Sequence, residues 1–532
     1  MKNSRHTLLA LVLGILPFSL SAQHLPIALD DIVILYDNDV HGAVEGYPLM
    51  AQLRSEVEQL NAWPIVVSCG DFLSGTPLGT ASDGRYIVRM MNAVGYDYVT
   101  LGNHEFDYGI PTLSNRLNEL KSQVLCSNFR YLDGSIRTGA ASHLVRYGST
   151  WLGFLGITTP QVATTSTPKL FQDSDGNWLY DFHANDLAQI LQVGIDSLRQ
   201  EGADLVILIA HIGETDMPSL IAATQGLDIV LDGHSHSVIP HTLLYDRANR
   251  PVLWTSTGSY FKHVGELVIG SETIRSTLIP RDTLAAHPQS EASLRVADTL
   301  AEVLRQYAEI GSRPVGFSEQ PLPRINSCDT VFDSPLGNFF TDAFRYVSGA
   351  PIAITNAGGI RVSLPSGGLT YNDLYTSSPF KNQLAIVEMS GQTLLDALEM
   401  GCRKCPKISG GFLHVSGLRF EVDTTIPSPV VLDEHFIFDS IAGPRRVSNV
   451  QVWDDWQQSY LPLDPDQIYR VAGSDYSLLN NGDGHRFRGI RVIDPSVCFL
   501  TDALERYLHD VLQGHIDTRY ARPEGRIRPR SH

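Results

Sequence analysis

The sequence is poor in cysteine, in positive charge and in long apolar runs. Its 532 residues include only 6 Cys, too few for a scaffold held together by disulfides. Lys and Arg number 40 against 58 Asp and Glu, a net charge of −18, so the chain lacks the positive surface that binds a phosphate backbone. Nucleic-acid polymers are therefore excluded as expected partners. The 43% hydrophobic content is ordinary, which excludes a disordered chain and predicts a sizeable core.

The apolar run near the N-terminus is short. Lys2 and Arg5 precede a largely apolar stretch over residues 8–20, and small residues follow it. This order is typical of a signal peptide, here residues 1–22. A transmembrane anchor is the alternative, but the run is too short to span a bilayer. We expect an exported protein, periplasmic or secreted, with no integral membrane segment after removal of the signal peptide.

The pair Cys402-Arg-Lys-Cys405 leaves three interpretations open. In an exported protein it could close as a disulfide, or each cysteine could pair with Cys328 or Cys498. A zinc clip would need two more close ligands, and a thioredoxin-like site would need its own fold context. A disulfide fits best, because the spacing alone is a weak signal for redox catalysis.

The length favours two to four domains. Over residues 31–270, short runs of β-branched residues alternate with helical periodicity, which predicts an α/β architecture. The stretch 291–309 carries apolar residues at three- and four-residue spacing and predicts an amphipathic spacer helix. The Pro-rich stretch 314–323 resembles a linker, and a second unit is expected over 324–526. The predicted strands of the first unit cover 32–35, 65–67, 98–101, 205–209 and 229–231, and its predicted helices cover 49–60 and 86–94.

Metal-binding residue types follow each of five predicted strands of the first unit. In open α/β sheets, ligands bind just beyond the carboxyl ends of the strands, so these clusters are expected to converge on one rim. Residues i and i+2 of an extended segment point the same way, so Asp39 with His41 and His234 with His236 should each present two donors. The clusters are Asp39-Val-His41, Gly70-Asp71, Gly102-Asn-His-Glu-Phe-Asp107, His211 and Gly233-His-Ser-His236.

The donor set mixes imidazoles, carboxylates and an amide oxygen. Such a set suits zinc, manganese or iron better than a thiolate-type site would, and more than four ligands indicate two metals. Each piece alone has an ordinary alternative, because a lone Gly-Asp is most often a turn and a lone His is most often a satisfied core group. Glu105 is expected to be solvated or to cap a helix. Five clusters in order at strand ends favour a dinuclear site.

Further motifs in the second half accompany these clusters, and together they resemble one known family. The motifs are Ser334-Pro-Leu-Gly-Asn338, Thr341-Asp-Ala343, Asn356-Ala-Gly-Gly-Ile-Arg361, Ser378-Pro-Phe-Lys-Asn382 and Asn481-Gly-Asp-Gly484. The whole set looks like the 5′-nucleotidase branch of the calcineurin-like metallophosphatases. The resemblance implies a metallophosphatase catalytic domain over 23–285 with a four-layer αββα sandwich, a helical linker over 286–323, and an α/β C-terminal substrate-binding domain over 324–532.

The resemblance also implies two divalent cations, either zinc, manganese, cobalt or magnesium. Such a pair neutralises charge in an in-line displacement at phosphorus. His104 would stabilise the transition state and protonate the leaving oxygen, oriented by Asp107. His104 follows Asn103, so in extended chain it should point away from the metal of Asn103. The implied ligands are Asp39, His41, Asp71 and His236 for one cation and Asp71, Asn103, His211 and His234 for the other, with Asp71 bridging.

In the second domain the resemblance implies a nucleotide whose base stacks between two aromatic rings, Phe380 and Tyr476. Instead of binding substrate, Phe380 could be a core residue and Gly358-Gly359 could form only a turn. The implied substrate residues are Asn356, Gly358, Arg361, Phe380, Tyr476 and Asp483. The sequence departs from the family pattern at four places, and these departures bear on substrate preference. Tyr36-Asp37 replaces His-Thr, and Lys381 replaces Gly. Residues 330–334 lack the usual basic residue, and there is one extra residue between Tyr476 and Asp483.

These observations predict an exported hydrolase that removes phosphate from nucleoside 5′-monophosphates. Alternatives within the family are a 2′,3′-cyclic nucleotide phosphodiesterase, a nucleotide-sugar hydrolase and, more remotely, a thiosulfate-ester hydrolase. A non-catalytic nucleotide-binding surface protein is an alternative from another class, but it would need neither His104 nor Asp107. The sequence leaves the base, the number of phosphates, the metal and the oligomeric state open.

Overall fold

The computed structural model describes residues 25–173, 175–324 and 333–530. The predicted signal peptide, residues 1–22, lies outside the described residues. The chain divides into two compact units. Among the described residues, unit 1 comprises 25–74, 82–162 and 177–305, and unit 2 comprises 75–81, 163–173, 175–176, 306–324 and 333–530. Every helix in the described ranges is too short or too polar to cross a bilayer.

Strands and helices alternate through the chain, as the sequence pattern predicts. Up to residue 324 the strands are β1 (Ile32–Asp37), β2 (Trp63–Ser68), β3 (Tyr98–Val99), β4 (Gln123–Val124), β5 (Arg130–Tyr131), β6 (Ser142–Tyr147), β7 (Thr150–Thr158), β8 (Tyr180–Asp181), β9 (Leu205–His211), β10 (Ile229–Leu231), β11 (Val238–Tyr245), β12 (Pro251–Thr257), β13 (His263–Ile269), β14 (Ile274–Pro280) and β15 (Pro314–Ser318). The helices are α1 (Tyr47–Gln59), α2 (Pro77–Ala81), α3 (Arg85–Val94), α4 (Ile110–Glu119), α5 (Val162–Thr165), α6 (Leu187–Glu201), α7 (Met217–Ala223), α8 (Arg281–Leu284) and α9 (Glu291–Gly311). All the predicted elements are present, with ends shifted by a few residues.

Two sheets form the centre of unit 1. Among the described residues, one has the strand order β14-β13-β1-β2-β3-β4 and the other β11-β12-β10-β9-β7-β6. The strands β1 to β4 run parallel, as do β7, β9, β10 and β12. Ile34 and Val67 of the first sheet share one apolar core with Ile207 and Leu231 of the second. All six residues of β1 are buried, as expected for a parallel strand covered on both faces.

Helices cover the outer faces of this pair of sheets. Apolar residues of α6 and α7, such as Ile195 and Ile221, pack with Leu155 and Val230 of the second sheet. Helix α1 lies against β1 and β2. Unit 1 is therefore a layered α/β sandwich. The predicted clusters follow strands of two sheets rather than one, since β1, β2 and β3 belong to the first and β9 and β10 to the second.

Unit 2 is built on a mixed sheet with the order β19-β16-β25-β18-β26 among the described residues. One face packs on α10 and α14, and the other packs on α12. The strands are β16 (Ile352–Asn356), β17 (Gly367–Thr370), β18 (Leu384–Ser390), β19 (Leu413–Ser416), β20 (Leu418–Val422), β21 (Val430–Leu432), β22 (Phe438–Ile441), β23 (Val447–Asp454), β24 (Ser459–Pro462), β25 (Ile468–Ser474), β26 (Arg491–Asp494), β27 (His515–Ile516) and β28 (Ile527–Pro529). The helices are α10 (Pro335–Ser348), α11 (Tyr371–Ser377), α12 (Gly391–Gly401), α13 (Asp475–Leu478) and α14 (Leu500–Asp510). The predicted two-domain α/β architecture is confirmed.

The predicted linker region contains regular structure. Helix α9 is confirmed at Glu291–Gly311. The Pro-rich stretch that follows it contains β15, which pairs with β17 and with β27. The domain boundaries at residues 285 and 323 stay predictions.

The Cys402-Arg-Lys-Cys405 turn lies at the end of α12, and both cysteines are buried. The Arg446 guanidinium donates to the carbonyl oxygens of Cys402 at 3.2 Å and Cys405 at 2.8 Å, which secures the turn. Cys328 lies outside the described residues. The disulfide stays a prediction.

Candidate functional site

The carboxyl ends of five strands in unit 1 bring their polar side chains together. Among the described residues there are three groups of His and Asp residues, and within each group the potential ligand atoms all lie within 4.8 Å of one another. His41 and Asp71 are each shared by two groups, so the groups form one continuous cluster. The groups are Asp39, His41 and His236; His41, Asp71 and His104; and Asp71, His211 and His234.

The first group is held closely around the Asp39 carboxylate. Its Oδ1 lies 3.8 Å from His41 Nε2 and 3.5 Å from His236 Nε2. The two imidazole nitrogens are 2.9 Å apart. Two imidazoles and a carboxylate with this spacing can hold one small divalent cation.

The third group, made of Asp71, His211 and His234, centres on Asp71. The Asp71 Oδ2 atom lies 3.1 Å from His211 Nε2 and 3.8 Å from His41 Nε2, so the same carboxylate oxygen faces both ligand groups. His234 Nδ1 lies 3.0 Å from the Asn103 amide oxygen. The structure thus brings together all seven residues that the sequence predicts as metal ligands.

The backbone reaches this arrangement by a different route from the expected one. Alternation in extended chain was expected to align the Asp39 and His41 side chains, but both residues have φ of 50°, and His234 and His236 have φ of 80° and 57°. Asp71 is also left-handed, with φ of 56°. Left-handed non-glycine residues are uncommon and concentrate at functional sites. The expectation of extended segments is therefore wrong, because tight turns aim the ligands.

The glycine before Asn103 is required by the Asp71 carboxylate. A Cβ atom on Gly102 would lie 2.1 Å from Asp71 Oδ1. A Cβ atom on Gly70, whose φ is +88°, would lie 2.5 Å from the Gly102 backbone nitrogen. At Gly70 and Gly102 the loops that carry Asp71 and Asn103 pack too closely for a side chain, and this close packing holds Asp71 beside Asn103.

The cluster has the properties of a cation site. The buried atom Asp39 Oδ1 has no hydrogen-bond partner among the described residues, and an orphaned buried polar atom calls for an explanation such as an ion. Burial raises the pKa of Asp39 to about 7. Burial opposes charge on His211, but the Asp71 and Asp39 carboxylates raise its pKa to about 10. Metal ligands must be deprotonated, so cations would replace protons here.

His104 and Asp107 form a hydrogen-bonded pair beside the ligands. His104 Nδ1 lies 2.8 Å from Asp107 Oδ2, and the His104 backbone N–H donates to Asp71 Oδ1 at 2.8 Å. Asn103 is in the right-handed helical region and a 3-10 helix covers His104–Phe106, so the expected extended chain at this point is wrong. The Ser74 hydroxyl also donates to Asp107 Oδ2, while the Ser74 carbonyl contacts His41 Nδ1 at 3.2 Å.

Glu105 plays a structural part that sequence reasoning missed. It is completely buried rather than solvated. Its Oε2 accepts the backbone N–H groups of Asp71 and Gly102, both at 2.7 Å, and its Oε1 accepts those of Phe72 and Leu73 at 2.8 and 3.0 Å. One carboxylate therefore joins the two loops that carry Asp71 and Asn103.

Asp232 supports the other side of the cluster and was also missed. It is buried, and its carboxylate accepts the backbone N–H groups of Ile212, Gly213 and Gly233 at 2.9–3.3 Å. These groups flank His211 and His234. An Asp directly before the Gly-His-Ser-His motif was the available signal.

The predicted substrate residues of unit 2 form two contact groups. The Asn356 amide donates to Asp483 Oδ2 at 2.8 Å, and the Asp483 backbone N–H donates to the Tyr476 hydroxyl at 3.1 Å. Gly358 N–H donates to the carbonyl of Gly410 at 2.8 Å. A Cβ atom on Gly410 would lie 3.2 Å from Asp483 Oδ1, so Gly358 belongs to the same group.

The second contact group pairs a cation with a ring. The Arg361 guanidinium carbon lies 5.7 Å from the centroid of the Phe380 ring, within cation–π range. Arg361 is buried, and Phe380 is half-buried rather than a core residue. The stacking of a base between Phe380 and Tyr476 stays a prediction.

Comparisons with known proteins agree with this architecture. Residues 33–238 match the calcineurin-like phosphoesterase family. Residues 314–489 match the family described as 5′-nucleotidase, C-terminal domain. The two matches together cover more than half of the chain and follow one another in the predicted order.

Relatives and a solved structure extend the match across both units. The chain is 25% identical to a probable 5′-nucleotidase of Treponema pallidum, over 86% of this chain and 88% of that protein. It is 23% identical to the trifunctional nucleotide phosphoesterase protein YfkN of Bacillus subtilis, of which it spans 32%. The crystal structure of a 5′-nucleotidase precursor from Thermus thermophilus matches with a TM-score of 0.79 at 23% identity, covering 94% of this chain and 100% of that one.

Proposed function

Because the chain is a metal-dependent phosphohydrolase of the 5′-nucleotidase family, we propose that it releases phosphate from nucleoside 5′-monophosphates with two divalent cations. The observation that carries the proposal is the Asp71 carboxylate, which faces His211 at 3.1 Å and His41 at 3.8 Å and so belongs to two ligand groups at once. A single-cation site would need no shared carboxylate.

The ligand sets follow from these groups. The donors fit zinc, manganese, cobalt or magnesium, and such ions supply the Lewis acidity and positive charge that displacement at phosphorus requires. Glu105 and Asp232 hold the loops that present the donors. The proposed sets are Asp39, His41, Asp71 and His236 for one cation and Asp71, Asn103, His211 and His234 for the other.

His104 is proposed as the acid of the reaction. Its Nδ1 faces the Asp107 carboxylate at 2.8 Å, so Nε2 is the nitrogen that would deliver a proton to the leaving oxygen. The Asp107 carboxylate fixes the ring orientation and stabilises the charged imidazole. The contact of the His104 backbone N–H with Asp71 Oδ1 keeps this residue beside the cations.

The residues of unit 2 are proposed to bind the nucleoside. Phe380 and Tyr476 offer aromatic faces for a base, and Asn356 and Asp483 offer the donors and acceptors that a base or ribose recognises. Arg361 adds positive charge beside Phe380. The observed pairing of Asn356 with Asp483 supports a preorganised polar subsite.

Export is proposed from the N-terminal sequence. A signal peptide over residues 1–22 predicts a mature periplasmic or secreted enzyme that begins at Gln23. The measurement is the mass of the protein recovered from the periplasm or the medium. A recovered chain that still contains residues 1–22 would contradict the cleavage.

Phosphate release from a nucleotide panel tests the activity. The purified enzyme is freed of metal with a chelator, verified by elemental analysis, and assayed with manganese, cobalt, zinc or magnesium. We expect hydrolysis of nucleoside 5′-monophosphates only when metal is restored. Full activity in verified metal-free protein would contradict the metal site. A stronger preference for a 2′,3′-cyclic nucleotide, a nucleotide sugar or a thiosulfate ester would replace the proposed substrate.

A further inference from the structure

The turn after β12 places one aromatic residue against a single ligand group. The Tyr260 ring centroid lies 5.4 Å from that of His41 and 6.1 Å from that of His236. Its backbone N–H donates to the Asp39 carbonyl at 2.9 Å. Tyr260 therefore contacts all three members of the first ligand group.

This contact is made from a strained backbone. Tyr260 and the next residue, Phe261, have φ of 55° and 49°, a conformation that bulky side chains rarely adopt. Phe261 anchors the turn, because it is buried and packs edge-on against Tyr47 at 5.0 Å. It also fills the space beside Gly46, where a Cβ atom would lie 2.1 Å from the ring. A glycine at position 260 would relieve the strain, so what tyrosine supplies there is its side chain.

The ring, rather than the hydroxyl, makes the observed contacts. The Tyr260 hydroxyl oxygen is buried and has no hydrogen-bond partner among the described residues. Replacing such a hydroxyl by hydrogen should be neutral or stabilising. The His236 side chain is 31% exposed, and the Tyr260 ring packs edge-on against it.

We propose that Tyr260 is a positioning residue whose ring orients His41 and His236 for the first cation. Groups that fix the orientation of a ligating histidine typically change metal affinity by about 10–100-fold. The effect should be confined to one cation, because Tyr260 contacts Asp39, His41 and His236, which all belong to the proposed ligand set of that cation. The inference rests on the two-cation site proposed above.

Metal content, measured apart from activity, tests the inference. We dialyse four proteins against manganese or zinc at a series of fixed concentrations and determine the bound metal per chain. The proteins are wild type, Tyr260→Phe, Tyr260→Gly and Tyr260→Asn. We expect two ions in wild type and in Tyr260→Phe. Tyr260→Gly and Tyr260→Asn, which both suit a left-handed backbone, should hold one ion tightly and bind the second about 10–100-fold more weakly. Thermal unfolding should show both variants folded.

Asn249→Gly is the matched control, since Asn249 is another left-handed residue of unit 1, exposed and at φ of 59°. It should keep both ions. Two tightly bound ions in Tyr260→Gly would overturn the inference. Loss of an ion or of turnover in Tyr260→Phe would overturn it as well, by assigning the role to the hydroxyl. Fewer than two ions in wild type would instead refute the two-cation site itself.

Discussion

The cluster of unit 1 and the substrate residues of unit 2 were both predicted from short motifs, yet they are held in different ways. In unit 1, loops after five strands meet, and buried carboxylates such as Glu105 tie the loops together through backbone N–H groups. In unit 2, the predicted residues form two separate contact groups, one around Asp483 and the other pairing Arg361 with Phe380.

The difference indicates how each region should respond to change. Every ligand of unit 1 shares a neighbour with another ligand, so the loss of one donor should disturb the whole cluster. One contact group of unit 2 can lose a residue and leave the other group intact, so single substitutions there should lower activity only in part.

Asp71→Ala should break the cluster completely. The carboxylate serves both proposed cations, each worth several kcal/mol of charge stabilisation, so turnover should fall by more than about 10⁴-fold. Elemental analysis should show loss of both ions. Asp282→Ala, at an exposed position of the same unit, is the control and should behave as wild type. If Asp71→Ala keeps two ions, Asp71 does not bridge them.

His104→Ala should separate catalysis from metal binding. Loss of an acid–base group lowers turnover by about 10²–10⁴-fold, while both ions should stay bound. Because the His104 ring also lies within ligand distance of His41 and Asp71, metal content is the decisive measurement. An ion missing from this variant would make His104 a ligand instead.

Ser74→Ala should weaken the acid without touching the cations. The Ser74 hydroxyl donates to the Asp107 oxygen that also faces His104, and its backbone carbonyl, which contacts His41, is retained. We expect about 10–100-fold slower hydrolysis of phenyl phosphate, whose leaving oxygen needs a proton, and a smaller loss with 4-nitrophenyl phosphate. Ser197→Ala, at an exposed position of α6, is the control. Equal losses on both substrates would remove Ser74 from proton delivery.

The sequence carries enough information to predict which residues meet in unit 1, but not how they are presented. Polar residues at strand ends place Asp39 beside Asp71 because the parallel strands β1 and β2 end at a common edge, and His211 joins them from β9 of the second sheet. The left-handed turn at Asp39 depends on contacts with distant loops. The sequence predicts a solvated or helix-capping Glu105 because the partners that bury it include backbone N–H groups 32–34 residues earlier in the chain.

Strand β15 is not predicted from the sequence for a similar reason. Strand β15 lies in a Pro-rich stretch that resembles a linker, and only its pairing with the distant β17 and β27 makes it a strand. In unit 2 the substrate residues are identified only by their resemblance to family motifs. Which of these residues contact each other depends on how separate loops pack together. Motif reasoning is therefore strongest where topology forces convergence, as in unit 1.

Phe380→Ala should give the smallest effect, because it removes one stacking face and no donor to a cation. Base–aromatic stacking is worth about 1–3 kcal/mol, so kcat/KM on a nucleoside 5′-monophosphate should fall by about tenfold or more. A small aryl phosphate has no base to stack, so its hydrolysis should change little. Phe499→Ala, at an exposed aromatic of unit 2, controls for general destabilisation.

The neighbouring Arg361 sharpens this last test. Its guanidinium lies over the Phe380 ring, so Phe380→Ala also removes a cation–π contact that orients Arg361. A double-mutant cycle with Arg361→Ala should therefore be non-additive, the pair losing less than the two single losses combined. Tyr476→Ala and Phe380→Ala should also be non-additive, because both rings are proposed to stack on the same base. Unchanged nucleotide kinetics in Phe380→Ala would refute nucleoside binding at this pair and leave a metallophosphatase whose specificity lies elsewhere.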